Sequence, residues 1–492
     1  MALSQLKRLA GQTAVYGLSS IVGRFINYLL VPLYTNIFSP AEYGVVTELY
    51  AYSSFLIIIF TYGLETAFFR FSQNENDKEY VFGTSLFSIL FSSAFFLLSF
   101  GLLIPSLSHT LGYENESYLL WLLLCILITD ALTAIPFARL RQQGKAWRFA
   151  SIKIINIFLN ILLNLLFLIW IPYLIKQGYS FSGWYNQSLG VGYVFISNLF
   201  ANLITLLLLF PSFKLKNGFD FDLWKRMMRY SLPLLIAGLA GMVNETFDRA
   251  MLKYLVADKN DAMRQLGIYG ANYKISILMT LFIQTFRFAA EPFFFNQSKE
   301  KNAKEMYAVI MKYFVVFGLF IFLLVMLYLH FVQYFIGKDF REGLKVVPIL
   351  LLANLFLGIF FNLSIWYKLT NKTTYGAYLA VFGAAITIAL NFILIPIWGY
   401  LGAAWATLIC YVSMTFLSYF WGNRFYKVHY PLREIGFYFA LALLIYYIST
   451  LYDFTSSWLL TLTNSLLLMI FLIIVFLREK RNVENMIKNG VA

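Results

Sequence analysis

Six ionisable side chains fall inside two hydrophobic runs. Glu245, Asp248 and Arg249 lie in the stretch 230–256, and Lys274, Arg287 and Glu291 in 266–295. Each run exceeds the roughly 20 apolar residues that a bilayer-crossing helix needs. A charge at membrane depth costs about 2.5–3.5 kcal/mol on insertion scales, so this many imply a protein interior or a water-filled cavity. Glu245 and Arg249 stand four apart with the acid first, the favourable order for a helical pair. Asp248 is three residues from Glu245, so the trio shares a face and holds a surplus carboxylate. It is either a self-neutralising cluster that lets the helix insert, or a proton or sodium site coupled to transport. Arg287 and Glu291 repeat the four-residue spacing near the other end of their run and read as a clamp at an inner gate. Lys274 precedes Arg287 by 13 residues, about 220° around a straight helix. The two face one lumen only if the helix bends, and Gly270 and Pro292 are the available places.

Arg24 lies about 11 residues into the first apolar run, roughly 16 Å deep at 1.5 Å per residue, with no acid within a turn. Its planar fork suits a diphosphate. The alternative is an interhelical ion pair with Glu48 or Glu245. Glu48 and Glu65 are the next candidates for carrying an ion.

The elements that position these groups follow from composition. The 492 residues are 60% hydrophobic and 13% charged, against about 25% charged in soluble domains, and mean hydropathy is +0.70. The chain reads as an all-α polytopic membrane protein. Fourteen spanning segments are predicted, at about 13–37, 44–70, 82–105, 118–138, 150–172, 187–210, 230–256, 266–295, 309–336, 345–368, 373–396, 400–424, 434–451 and 457–477. With the N-terminus inside, 27 of the lysines and arginines fall in cytoplasmic segments and seven in outer ones. That bias sets the orientation, places both termini in the cytoplasm and accounts for the net charge of +14 without nucleic acid. Cys125 and Cys410 sit in apolar segments and His109, His330 and His429 are isolated, so neither a metal centre nor a cofactor is expected.

An internal repeat is visible at an offset of 226–227 residues. Tyr43-Gly44 recurs as Tyr269-Gly270, Glu65 as Glu291, Lys145 as Lys372 and Asn164 as Asn391. Two six-segment lobes inserted in the same orientation are therefore expected, over 1–212 and 213–428, with two further segments and a cytoplasmic tail in 429–492. Parallel repeats of this kind place a substrate site near the midplane in some transporters.

The 6+6+2 arrangement, the stretch GLSSIVGRFINYLLVPLYTNIFSPAEYGVVTELYAY, the AEPFFF of 290–295 and the NETFDRAML of 244–252 resemble the polysaccharide-transporter branch of the MOP (MATE-like) superfamily. Its Wzx-type members are flippases for O-antigen and other lipid-linked oligosaccharides. The resemblance implies two lobes around a central cavity in the bacterial inner membrane. It also implies that a polyprenyl-diphosphate-linked oligosaccharide is turned from the cytoplasmic to the periplasmic leaflet, driven by H+ or Na+. Arg24, Arg249, Lys274 and Arg287 would then be cavity cations, Glu245, Asp248, Glu48, Glu65 and Glu291 the ion or gate carboxylates, and membrane lipids and polysaccharide-assembly proteins the partners. Two rivals remain: a MATE-type small-molecule exporter, disfavoured by fourteen segments and a cationic midplane, and a membrane glycosyltransferase or polymerase. The latter needs catalytic acids on a sizeable loop, and the loops here are short.

Overall fold

The structure, a computed structural model, describes residues 23, 25–74, 78–181, 183–213, 218–298, 300, 302–452 and 456–488. Its helices are α1 (Leu30–Ile37), α2 (Pro40–Thr61), α3 (Leu64–Asn74), α4 (Lys78–Leu111), α5 (Tyr118–Gln142), α6 (Ala146–Leu165), α7 (Ile171–Lys176), α8 (Gly192–Leu209), α9 (Phe221–Leu255), α10 (Ala262–Ile275), α11 (Ile277–Gln297), α12 (Ala303–Leu327), α13 (Leu329–Val332), α14 (Val347–Leu363), α15 (Ile365–Leu369), α16 (Thr374–Trp398), α17 (Tyr400–Phe425), α18 (Leu432–Ser449) and α19 (Ser457–Lys488). No strand occurs among the described residues. Hydrocarbon offers the backbone no hydrogen-bond partner, so long apolar runs satisfy their own groups as helices. Many large apolar side chains point outward: Phe91 is 78% and Leu102 83% exposed on α4. Such a surface suits lipid and not water; the chain is a multi-pass membrane protein.

Twelve helices among the described residues are long and apolar enough to cross a membrane, two short of the fourteen expected. Expected segment 1 lies in part, over 13–22 and 24, outside the described residues. Segment 7 coincides with the latter part of α9, whose 35 residues are ample in length but not apolar enough to be counted among the twelve. Segment 8 is not one helix. It breaks between α10 and α11 at Ser276, whose hydroxyl donates to the Tyr273 carbonyl (2.7 Å) and accepts from Asn354 Nδ2 (3.2 Å). The side chain thereby competes with the helical ladder. The straight-helix premise for Lys274 and Arg287 fails at this point, and the bend lies at neither Gly270 nor Pro292.

The PAEYG stretch has a physical reading. Ser39 caps α2: its Oγ accepts from the Glu42 N–H (3.3 Å), and Glu42 Oε2 accepts from the Ser39 N–H (2.8 Å), a capping box with Pro40 in the first turn. Tyr43 is buried. Gly44 meets the backbone of α10, where an added Cβ would lie 2.2 Å from the Met263 carbonyl oxygen.

The duplication is visible in local geometry. Gly144 and Asn371 both adopt positive φ, 67° and 56°. The residues after them, Lys145 and Lys372, donate their N–H groups to Leu140 O (2.9 Å) and Tyr367 O (2.8 Å). Both are Schellman-type helix ends. Asn164 and Asn391, both fully buried, each donate Nδ2 to the carbonyl one turn back, at 2.7 Å.

By contact the chain forms two compact units, Met1–Gly270 with Thr387–Ala403, and Ala271–Ile386 with Ala404–Ala492. The first is cored in part by Phe137, Leu140, Phe149, Ile152 and Leu209 on α5, α6 and α8. The second has one core of Ala290, Phe294, Tyr307 and Ile365 and another around Phe360, Leu379, Cys410 and Tyr411. In the second unit, a buried lysine ties α12 to the last two long helices. Lys312 Nζ donates to Glu479 (2.6 Å) and Glu434 (3.1 Å). Glu479 also accepts from Tyr438 (2.6 Å) and Tyr313 (3.0 Å).

Candidate functional site

Of the trio on α9, only Asp248 is buried. Its Oδ2 accepts from the hydroxyl of Tyr269 on α10, itself fully buried, at 2.5 Å, and its Oδ1 from the Arg249 N–H at 2.8 Å. One turn earlier, Asn244 Oδ1 accepts from Thr387 Oγ1 on α16 at 3.3 Å. One turn beyond Thr387, Asn391 has a buried side-chain oxygen with no hydrogen-bond donor among the described residues. Asn244, Asp248, Tyr269, Thr387 and Asn391 thus form a buried polar patch inside the first unit. Glu245 is exposed and Arg249 half-buried. The Arg249 guanidinium donates to the Glu245 carbonyl at 3.2 Å. The structure therefore divides a trio that the helical spacing placed on one face.

Glu48 is wholly buried in α2. Lys253, in the last turn of α9, donates to both its oxygens (2.9 and 3.0 Å) and to Leu111 O (2.6 Å). Tyr52 and Tyr113 each donate to the carboxylate at 2.6 Å. Tyr113 lies between helices. Burial, and then the neighbouring Glu48 charge, hold its phenol well above the usual value. Lys253 was counted with the outer loop charges; its side chain is only 17% exposed. Burying an ion pair is tolerated where further hydrogen bonds satisfy both partners, and the two phenols and the Leu111 carbonyl meet that need.

Glu65 on α3 pairs with Arg141 at the end of α5, and the Arg141 guanidinium lies 5.0 Å from the Phe69 ring. Nearby, Arg139 makes a two-oxygen contact with Glu79 on α4 (2.9 and 2.7 Å) and donates to Ser212 O (3.0 Å). These pairs tie α3, α4 and α5 together at one end of the first unit.

In the second unit, Arg287 is exposed and its guanidinium stacks 3.8 Å from the Phe361 ring. Lys274 is half-buried in the last turn of α10. Glu291 lies on α11, but its side chain is outside the described residues, as is Arg24.

Sequence reasoning passed over a second polar network in the first unit. Asp130 on α5 accepts from Asn202 Nδ2 on α8 (2.8 Å). Asn156 Nδ2 on α6 donates to Asn202 Oδ1 and to Thr205 Oγ1, both at 3.0 Å. Asn198 Nδ2 reaches Tyr50 Oη at 2.9 Å. The signal was present: Asn198, Asn202 and Thr205 recur at i, i+4 and i+7 on one face of an otherwise apolar helix. Polar side chains inside spans form interhelical bonds, so this face marks a helix contact.

Residues 9–297, more than half of the chain, match the family model described as polysaccharide biosynthesis protein. The chain belongs to that family. No curated protein matches this polysaccharide biosynthesis family member by sequence. Among solved structures, the lipid II flippase MurJ in an inward closed conformation is similar, with TM-score 0.69 and 15% identity over 94% of this chain and 98% of that one. A multidrug resistance MATE family transporter of the MOP superfamily, inward-facing, is similar with TM-score 0.65 and 14% identity over 84% of this chain and 94% of that one. The outward-facing conformation matches at TM-score 0.57 and 14% identity, over 84% and 94%. At these identities the likeness is one of fold. It bears out the all-α, MATE-like fold read from the sequence, and the family model bears out the family resemblance.

Proposed function

We propose that this protein flips a polyprenyl-diphosphate-linked oligosaccharide from the cytoplasmic to the periplasmic leaflet of a bacterial inner membrane, for surface polysaccharides of the O-antigen and lipopolysaccharide type. The observation that carries this reading is the match of residues 9–297 to a polysaccharide biosynthesis family on a fold similar to a lipid flippase. In this reading 1–212 and 213–428 act as the two lobes, and 429–492 as an appended helix pair and tail. Arg24, Arg249, Lys274 and Arg287 are assigned to the anionic carrier, each to be tested singly by Lys and Ala replacement. The deciding experiment uses purified protein in proteoliposomes with a fluorescent lipid-linked oligosaccharide. Its sugar should become accessible to an enclosed glycosidase only when the protein is present. Dye export with no lipid movement would favour the small-molecule exporter, whose fold is also similar.

The orientation belongs to the same proposal. Single cysteines at Asn302 and Asn423 should resist an impermeant thiol reagent added outside intact cells, and those at Glu114 and Asp258 should label. Reversal at two or more of these positions would discard the topology.

For coupling, Asp248 is the favoured carboxylate: it alone of the α9 trio is buried, in a polar patch where the Tyr269 hydroxyl donates to it. Asp248→Asn should abolish gradient-driven flipping and leave substrate binding intact, whereas Tyr269→Phe should only weaken it. Undiminished driven transport in Asp248→Asn would move the ion elsewhere, with Glu245, Glu48, Glu65 and Glu291 the remaining candidates.

A further inference from the structure

A cavity of about 740 Å³ lies within the first unit. Its walls come from five helices, with Phe55 on α2, Phe100 on α4, Leu124 on α5, Phe247 and Met251 on α9, and Phe392 on α16. Its lining is apolar apart from two phenols at its rim, Tyr52 and Tyr254, whose hydroxyls meet at 2.8 Å. Tyr52 in turn donates to buried Glu48. The rim is therefore polar but electrically balanced, because Lys253 neutralises Glu48.

Such a space does not hold water, because it offers almost no hydrogen-bond partners. Its size is that of a ligand site. Along α4 the lining runs from Phe100 to Leu111, the last residue of the helix. That is about 16 Å at 1.5 Å per residue, roughly half of a ~30 Å hydrocarbon core. The cavity thus has the reach of one leaflet. Its phenol rim lies at the end where α4 and α9 finish, where tyrosines sit at a membrane interface.

We infer that this cavity is a binding site for the hydrocarbon chain of a lipid, with the chain packed among Phe55, Phe100, Leu124, Phe247 and Phe392 and the headgroup held outside the phenol rim. An isoprenoid chain and a fatty-acyl chain share this chemistry, and the test separates them.

The full-length protein, purified in detergent, is incubated with one of two probes. One is a phosphatidylglycerol with a diazirine on its acyl chain; the other is a polyprenyl phosphate with a diazirine on its isoprenoid chain. After illumination, labelled peptides are mapped by mass spectrometry. At least one probe should label peptides carrying Leu124 or Met251, and the one that labels identifies the source. Excess unlabelled lipid of the same class should suppress the labelling. Leu107→Trp and Leu56→Trp, which place an indole in the space, should each reduce labelling at least fivefold with the thermal midpoint unchanged or raised. Two variants are used so that misfolding of one leaves the other decisive. Labelling by neither probe, or undiminished labelling in a folded filled variant, would overturn the inference. Because binding is measured and not transport, a protein that labels but does not flip would end the flippase reading and leave this site in place.

Discussion

Replacing Lys253 with methionine is expected to destabilise the protein by about 3–5 kcal/mol, the cost of leaving one member of a buried ion pair unpaired. Glu48 is the stranded partner. It has no exposed surface, and without the ammonium its charge rests on the hydroxyls of Tyr52 and Tyr113 alone. Glu48→Gln should cost less: Lys253 keeps its 2.6 Å bond to the Leu111 carbonyl, and the amide oxygen still accepts from a donor. The double variant Glu48→Gln, Lys253→Met should recover most of the loss, since replacing both partners of a buried pair is often nearly neutral. Thermal midpoints in detergent and abundance in the membrane are the measurements. A Lys253→Met protein as stable as the parent would show that this pair is not structural and would raise Glu48 among the remaining ion-coupling candidates.

Gly267→Ala should have an effect at least as large, of about 4 kcal/mol or more, which places it among the exceptional point mutations. A Cβ at Gly267 would lie 1.8 Å from the Pro40 carbonyl oxygen and 2.9 Å from the Gly44 nitrogen. Both obstacles are backbone, so no side chain can move aside and α2 and α10 would have to separate. Small residues are what allow helices in a membrane to approach this closely. Gly44→Ala meets the reciprocal obstacle, the Met263 carbonyl oxygen at 2.2 Å. Gly241→Ala is the control. Among the described residues nothing outside its own helix turn lies within 4 Å of its added Cβ, and helix propensity alone would stabilise it by up to about 1 kcal/mol. Equal accumulation of all three variants in the membrane would disprove the close crossing.

Much of this architecture was legible because it rests on local rules. Apolar run lengths gave the helices, whereas the start at Ser39, Pro40 and Glu42 was not read as a cap, and segment 2 was placed from residue 44 instead of Pro40. The repeat could be located from Lys145 and Lys372, although what they share is a backbone turn at the preceding residue and not a lysine function. Pairing was not legible. Glu48 and Lys253 are 205 residues apart, and no periodicity links them. Helical spacing placed Asp248 beside Glu245 but could not say which of the two faces Tyr269. The break at Ser276 depends on Asn354, 78 residues away, so a straight helix was the natural expectation. Lysines and arginines near helix ends were assigned to loops by position, yet Lys253, Lys312 and Arg139 turn inward, because a nearby carboxylate in the fold outcompetes water.

The three-way contact of Lys312 also sets an order of events during synthesis. Its partners lie 122 and 167 residues further along the chain. At ~5–20 residues per second, the ribosome reaches Glu434 about 6–24 s after Lys312, and Glu479 comes later still. Throughout that interval the nascent chain carries a lysine whose counter-ions do not yet exist, and its long stem must hold the ammonium at the water boundary. Only when the last helix has been made can the charge be drawn inward. Chains that terminate within α19 before Glu479 would retain the lysine without its closest carboxylate, a state that quality-control proteases in the membrane are equipped to find.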